Sequence, residues 1–316
     1  MTKYVIKRVL LMFLTLFLIM TICFVLIKLL PLPAIKEMGR DVQLVLARRE
    51  KMGYDKPIMV QYYLFLKNLL TGWDWGVGEQ MYTGRDVWAV MMQKLPYTVL
   101  VNLYSILIAI PLGLGFGIYA ALRKNKWQDQ IINVIIILLI SVPSIVLALM
   151  IQYVFCFKLG WFPLTMSTSK DYFSGPVFHS MLPAVFALCL GSIAGYARYT
   201  RAELSEVLTG EFMLLARTKG LTKRQAIFRH AMRNSMVVIF PSILSEFVSV
   251  LSGSLIIEKM FSINGVGGLY LNSITFQDYD FFMLLSGFYT LVSLTAGIVI
   301  DISYGFIDPR IRMGAK

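Results

Sequence analysis

Charge is scarce in this sequence, and its scarcity excludes a water-soluble fold. Asp, Glu, Lys and Arg make up 15% of the 316 residues and hydrophobic residues 57%, whereas soluble domains carry about 25% charged residues. Mean hydropathy is +0.69. Cysteine is rarer still: Cys23, Cys156 and Cys189 all lie in apolar tracts with no paired spacing, which reads as free packing residues and not as a disulfide framework. Histidine is limited to His179 and His230, and neither H-E-x-x-H nor G-x-S-x-G occurs, so metal and nucleophilic hydrolase sites lack their parts. There is no G-x-x-x-x-G-K-S/T phosphate loop, so the chain cannot itself bind and hydrolyse ATP in the usual way. The Gly113-Leu-Gly115-Phe-Gly117 cluster sits inside an apolar tract, where close helix packing is the expected role. A non-enzymatic chain without a cofactor or metal is expected.

Long apolar runs are what the sequence has in quantity. Residues 9–27, 95–122, 131–157, 172–197 and 281–300 carry no charge, and 234–257 is interrupted only by Glu246. Each is near or above the ~20 residues that cross a bilayer as helix. The expectation is an all-α, polytopic membrane protein with six transmembrane helices. A net charge of +12 could suggest nucleic acid, but its placement is a topology signal. With the N-terminus in the cytoplasm, Lys3, Lys7, Arg8, Arg123, Lys124, Lys126, the basic residues from Arg198 to Arg233, and Arg310, Arg312 and Lys316 all fall on the inner side. The short external loops hold only Lys158, Lys170 and Lys259. The positive-inside rule then predicts both termini in the cytoplasm, as in a multi-pass protein of a bacterial inner membrane. Leu30-Pro31-Leu32-Pro33 follows the first tract in place of a small-x-small cleavage site, so that tract reads as an uncleaved anchor.

Three regions follow: residues 1–30, the N-terminal end and first membrane helix; 31–95, an external helical insertion; and 96–316, the transmembrane core with a cytoplasmic loop at 198–234. In the insertion a polar helix over 41–52 is predicted to stop at Gly53, and Pro57 opens a second with Ile58, Tyr62, Phe65, Leu66 and Leu69 on one stripe, ended by Gly72. Trp73 and Trp75 are expected at the lipid headgroups. Thr83-Gly84-Arg85-Asp86 has capping-box spacing for a third helix leading to Pro96. The insertion reads equally as a surface cap and as a platform for an external partner.

The cytoplasmic loop is the more specific signal. Residues 204–219 are helical in pattern, Gly220 sits where a helix stops in a left-handed residue, and Thr222 with Gln225 has the spacing of a second helix's capping box. Phe212, Leu215 and Ala216 are expected to be exposable on one face beside Arg217 and Lys219. Ala216 and Gly220, four apart, leave a shallow surface that another protein could approach closely. A segment lying on anionic lipid and a docking element both remain open. Glu246 is the only acid well inside a tract, and an intramembrane carboxylate is a functional hypothesis by default. A structural hydrogen bond, a pore or interface position, and an ion-coupled secondary transporter or channel all stay open for it, as does a membrane scaffold or sensor for the whole chain.

At the cytoplasmic helix pair, Ala216-Arg217-Thr218-Lys219-Gly220-Leu221 and Phe228-Arg229-His230-Ala231-Met232-Arg233-Asn234 resemble the binding-protein-dependent permeases of the oligopeptide, dipeptide and nickel class. The resemblance runs along the chain through Lys7-Arg8-Val9-Leu10, Gly53-Tyr-Asp-Lys-Pro57, Leu95-Pro96-Tyr-Thr98, Ser141-Val-Pro143-Ser144, Leu159-Gly160-Trp161-Phe162-Pro163, Glu258-Lys-Met-Phe261 with Gly265-Val-Gly267, and Asp308-Pro309-Arg310. The pattern is similar to the first of the family's two permease subunits. That resemblance implies a type I ABC importer permease fold and import of oligopeptides or dipeptides, with nickel and oligosaccharides as alternatives. It also implies a heterodimer with a second homologous permease, two ATP-binding cassette ATPase subunits, and an extracellular or periplasmic solute-binding protein. By the same resemblance Glu211, Phe212, Leu215, Ala216, Arg217, Lys219, Gly220 and Leu221 form the ATPase-coupling loop. Glu258, Phe261, Asn264, Gly265 and Gly267 would form an external gate or binding-protein contact, and Glu246 a pore or interface position.

Overall fold

The computed structural model describes residues 2–31, 40–167, 169 and 171–307. Among them the chain is helical, and its one β-type contact is an isolated antiparallel bridge between Val77 and Asp86. Four helices are long and apolar enough to cross a membrane, or five if a bent pair counts as one span. Two compact units divide the chain, one holding Thr2–Val99 and Leu251–Thr295, the other Leu100–Val250 and Ala296–Lys316.

The first unit begins with α1 (Thr2–Lys28), which from residue 9 to residue 27 is apolar on all sides, as a lipid-embedded helix must be. Helix α2 (Arg40–Lys51) is followed by Gly53 at φ +64°. Helix α3 (Ile58–Gly72) opens after Pro57 and ends on Trp73 in the left-handed conformation, whose N–H reaches back to the carbonyls of Asn68 and Leu69. Its predicted stripe is the face that packs: Phe65 is buried with Met20, Phe24 and Ile27 of α1 and with Tyr279 and Met283, and Ile58, Tyr62, Leu66 and Leu69 flank them. Trp73 is 57% exposed, but Trp75 corrects the headgroup expectation, because its ring packs into the apolar clusters of this unit.

Helix α4 (Val87–Leu122) also departs from expectation. Asp86, not Thr83, supplies the cap, its Oδ1 accepting the N–H of Ala89 at 2.6 Å. The helix then runs 36 residues through both Pro96 and Pro111, so the limit expected at residue 95 falls inside it.

In the second unit the C-terminal half of α4 lies so close to α7 (Gly175–Thr209) that a Cβ on Gly113 would stand 2.6 Å from the Tyr196 Cβ, and one on Gly117 2.6 Å from the Thr200 Cβ. The glycine cluster therefore does what apolar context implied. The third expected span is bent: α5 (Trp127–Ser141) and α6 (Ser144–Ile151), which continues as a π-turn over Gln152–Lys158, meet at 98° where Pro143 denies the helix a donor. Helix α7 extends past the apolar tract through Arg198 and Arg201, and Gly210 ends it in extended backbone (φ −71°, ψ 152°). The helix expected over 204–219 is thus two, and α8 (Glu211–Thr218) is separate.

Beyond it, α9 (Lys223–Ala226), a π-turn over Ile227–Ala231 and α10 (Met232–Ser249) follow without a break. Helix α10 stops at Ser249, so the tract 234–257 is not one helix. With Arg233 and Glu246 it is not among the helices apolar enough to count as a span. The cysteines are free, as expected, with Cys156 and Cys189 buried. Back in the first unit, α11 (Leu255–Met260) and α12 (Val266–Thr275) lead to α13 (Tyr279–Ile307).

Candidate functional site

The segment between α7 and α10 is built as a braced elbow. Arg201 on α7 makes a two-pronged ion pair with Asp129 at the start of α5, Nε to Oδ1 at 2.5 Å and Nη2 to Oδ2 at 2.8 Å. Asp129 is only 2% exposed, and its carboxylate also accepts the Asn125 backbone N–H and the Asn133 side-chain amide, each at 3.0 Å. A buried carboxylate so fully paired holds the root of the elbow in one geometry. Sequence reasoning missed Asp129, whose partner Arg201 stands 72 residues further along the chain among several other basic residues.

From that root α8 folds back on the bundle. Met213 and Ala216 are buried among Ala121, Leu204, Ala226, Ile227 and Ala231, while Leu214 and Leu215 stand 67% and 55% exposed. Leu215 is therefore where the sequence put it, but Ala216 is a correction: its methyl faces the core, since helical spacing places 213 and 216 on one side. The side chains of Phe212 and Arg217 lie outside the described residues. Gly220 ends the helix at φ +85°, and the N–H of Leu221 bonds the carbonyl of Ala216 at 3.3 Å, the six-to-one closure of a glycine-ended helix. Thr222 and Gln225 form the predicted capping box, the Gln225 N–H donating to Thr222 Oγ1 at 3.3 Å and the Thr222 N–H to Gln225 Oε1 at 3.0 Å. Glu211, Lys219 and Gly220 are exposed, Leu221 is half-buried, and Phe228 is 60% exposed beyond the turn. The elbow thus presents Leu214, Leu215, Gly220 and Phe228 outward on a turn whose ends are both capped.

Glu246 lies on α10 opposite α7. Its Oε1 accepts the Ser192 hydroxyl at 2.8 Å, the Tyr196 hydroxyl donates to the Ser242 backbone carbonyl at 3.5 Å, and the carboxylate opens on a cleft of about 400 Å³.

The residues expected at an external gate cluster around Glu258 on α11. Its carboxylate, 1% exposed, accepts the Gly267 N–H at 2.8 Å, while Thr98 Oγ1 accepts the Val266 N–H at 2.8 Å. A Cβ on Gly253 or Gly265 would approach the carboxylate oxygens to 2.2 or 2.3 Å, so glycine is sterically required around it. Burial pushes Glu258 up to about 7, against the lowering pull of its hydrogen bonds and of Lys94. Phe261 is likewise buried, and Asn264 Oδ1 receives Lys94 Nζ. Glu258 and Phe261 therefore hold the turn from beneath, and Asn264 is the expected residue nearest its surface.

Asp278, which the sequence analysis did not single out, anchors the segment after α3. Its Oδ2 accepts the backbone N–H groups of Glu79, Gln80 and Met81 at 3.0, 2.9 and 2.8 Å, and burial raises it to about 6 despite them. Arg49 pairs with Glu79 at 2.6 Å, and Arg48 pairs with Asp74.

Comparison with known proteins agrees with this geometry. Residues 113–313 match the family described as "Binding-protein-dependent transport system inner membrane component", and residues 1–102 match its N-terminal segment. The dipeptide transport system permease protein DppB of Lactococcus lactis subsp. cremoris is 31% identical over 99% of this chain and 100% of its own length. The protein of that name from Bacillus subtilis is 32% identical over 100% of both. The glutathione transport system permease protein GsiC of Escherichia coli is 31% identical over 99% of each. A crystal structure of an amino acid ABC transporter with histidines shares the fold at a TM-score of 0.52 and 18% identity, over 69% of this chain and 94% of that one. With matches that together reach from residue 1 to residue 313, this multi-pass membrane protein belongs to the family of binding-protein-dependent transport system inner membrane components.

Proposed function

We propose that this chain is one of two permease subunits of an ATP-driven importer of short peptides. It takes substrate from an external binding protein and energy from two separate ATPase subunits. In the membrane α10 supplies the fifth of six crossings, and both termini lie in the cytoplasm.

The observation that carries the reading is the elbow from Arg201 to Gln225. Leu214, Leu215 and Phe228 are solvent-facing on a turn capped at both ends, and Arg201 ties it to Asp129 at the root of α5. Large apolar side chains on a rigid cytoplasmic turn suit a protein groove, and α7 joins that turn to the membrane as one continuous helix. A chain without a phosphate loop needs such a lever, because closure of an ATPase pair must reach the pore mechanically. Short peptides are favoured because the full-length relatives are named for dipeptide and for glutathione.

The test is purification in mild detergent followed by reconstitution with the candidate ATPases, second permease and binding protein. Stoichiometric ATPase partners and ATP-dependent uptake of a radiolabelled dipeptide are expected. Uptake that persists without any ATPase subunit would overturn the reading.

A further inference from the structure

We propose that the cleft around Glu246 is a substrate site within the permease, where the carboxylate receives the α-ammonium group of a passing peptide. This rests on the peptide-importer reading above.

The cleft, about 400 Å³, is lined by Ser192, Gly195, Tyr196 and Tyr199 of α7 and by Ser242 and Glu246 of α10, and falls within the ~300–1,000 Å³ usual for small-molecule sites. Its lining contains one carboxylate and four hydroxyl-bearing side chains, and no Lys, Arg or His. Glu246 accepts the Ser192 hydroxyl at 2.8 Å. An ionised carboxylate offers about four acceptor positions, so capacity for further donors remains. An acidic residue in an apolar tract is costly, and such residues mark substrate or ion pathways. The complement that this lining lacks is a compact cation with several N–H donors, which an α-ammonium group supplies.

The opposite wall suits the rest of a peptide. Gly195 lines the cleft from α7, is exposed, and a Cβ built on it meets nothing within 4 Å. Among the described residues no helix fills that space, unlike the space at Gly113 and Gly117. The wall lets a peptide backbone lie against the helix while the Tyr199 and Ser242 hydroxyls meet its amides. Recognition would then fall on the ammonium and the backbone, which all peptides share, and leave side chains unread.

The test uses the complete transporter, with partner permease, ATPases and binding protein, in proteoliposomes, with radiolabelled alanyl-alanine as probe. Glu246→Gln preserves size and the ability to accept from Ser192 but removes the charge. Uptake is expected to fall on the order of tenfold, the usual consequence of losing one charge-assisted hydrogen bond. ATP hydrolysis stimulated by loaded binding protein should stay near wild type. Glu246→Asp, which restores the charge at shorter reach, should recover part of the uptake. Wild-type uptake by the Gln variant would overturn the inference and leave the importer reading standing. So would a joint loss of uptake and stimulated hydrolysis that Asp does not repair, because Glu246 would then only hold the assembly together. A wild-type transporter that hydrolyses ATP but imports no alanyl-alanine would instead count against the peptide reading itself.

Discussion

Replacing Gly220 tests whether the elbow's conformation is what an ATPase reads. A Cβ at this position meets no atom within 4 Å, so substitution adds no clash, and its whole cost comes from the backbone, held at φ +85°. For an L-residue that conformation costs roughly 1–2 kcal/mol, a factor of about 5–30 in the population of the capped turn. Gly220→Ala should raise the concentration of ATPase subunits needed for half-maximal binding to the permease pair by about that factor. Gly220→Val, β-branched and poorer still at positive φ, should exceed it, and Gly220→Asn, the residue that best tolerates this region, should lie nearest wild type. Binding of purified ATPase to the permease pair in nanodiscs measures the series. Equal affinities for Asn and Val, or unchanged affinity for Val, would refute the reasoning.

Ala216→Trp should act differently, because Ala216 is 6% exposed against Leu204 and Ala231. Overpacking of ~1–3 kcal/mol should lift α8 off the bundle and speed amide exchange in residues 211–218 even with no ATPase present. Arg201→Ala leaves the Asp129 carboxylate buried without its cation, at a cost of about 3–5 kcal/mol; a clearly lowered Tm in detergent is expected, and an unchanged one would deny the brace its role. Glu258, raised in the fold to about 7 from an ordinary 4.5, is held more readily protonated than in the unfolded chain. Its contribution is therefore fully present below pH ~4.5 and is lost as pH rises through ~7, at most roughly 3 kcal/mol. Amide protection at Val266 and Gly267, corrected for intrinsic rates, should fall between pH 5 and 7.5 in wild type. In Glu258→Gln that Glu258-dependent fall should vanish, while any contribution from Asp278, raised to about 6, remains common to both proteins.

Much of the segment between α7 and α10 was legible because caps are local chemistry. Gly220 must end a helix and Thr222 must begin one wherever the segment lies, so their roles survive in the structure. Helices α2 and α3 were legible for the same reason, Gly53 and Pro57 being signals that act within a turn of themselves. Ala216 was misread because amphipathicity names two faces without saying which one the rest of the protein covers. Asp129, Asp278 and the cage around Glu258 went unseen because each partner is distant in sequence: Arg201, the amides of 79–81, and Thr98 with its neighbouring Val266 turn.

What the sequence by itself determined is the membrane setting, the helical class, the family and the positions of chain reversal, since these follow from apolar run length and from residues that act on their own backbone. The tertiary structure alone decided which apolar runs stay straight. Pro96 and Pro111 sit within α4 while Pro143 marks a 98° bend, and a proline's lost hydrogen bond can be compensated or not only by what surrounds it. It alone decided, too, that Glu246 meets Ser192 across a cleft, because a carboxyl group in an apolar tract is made tolerable by neighbours that only folding brings together.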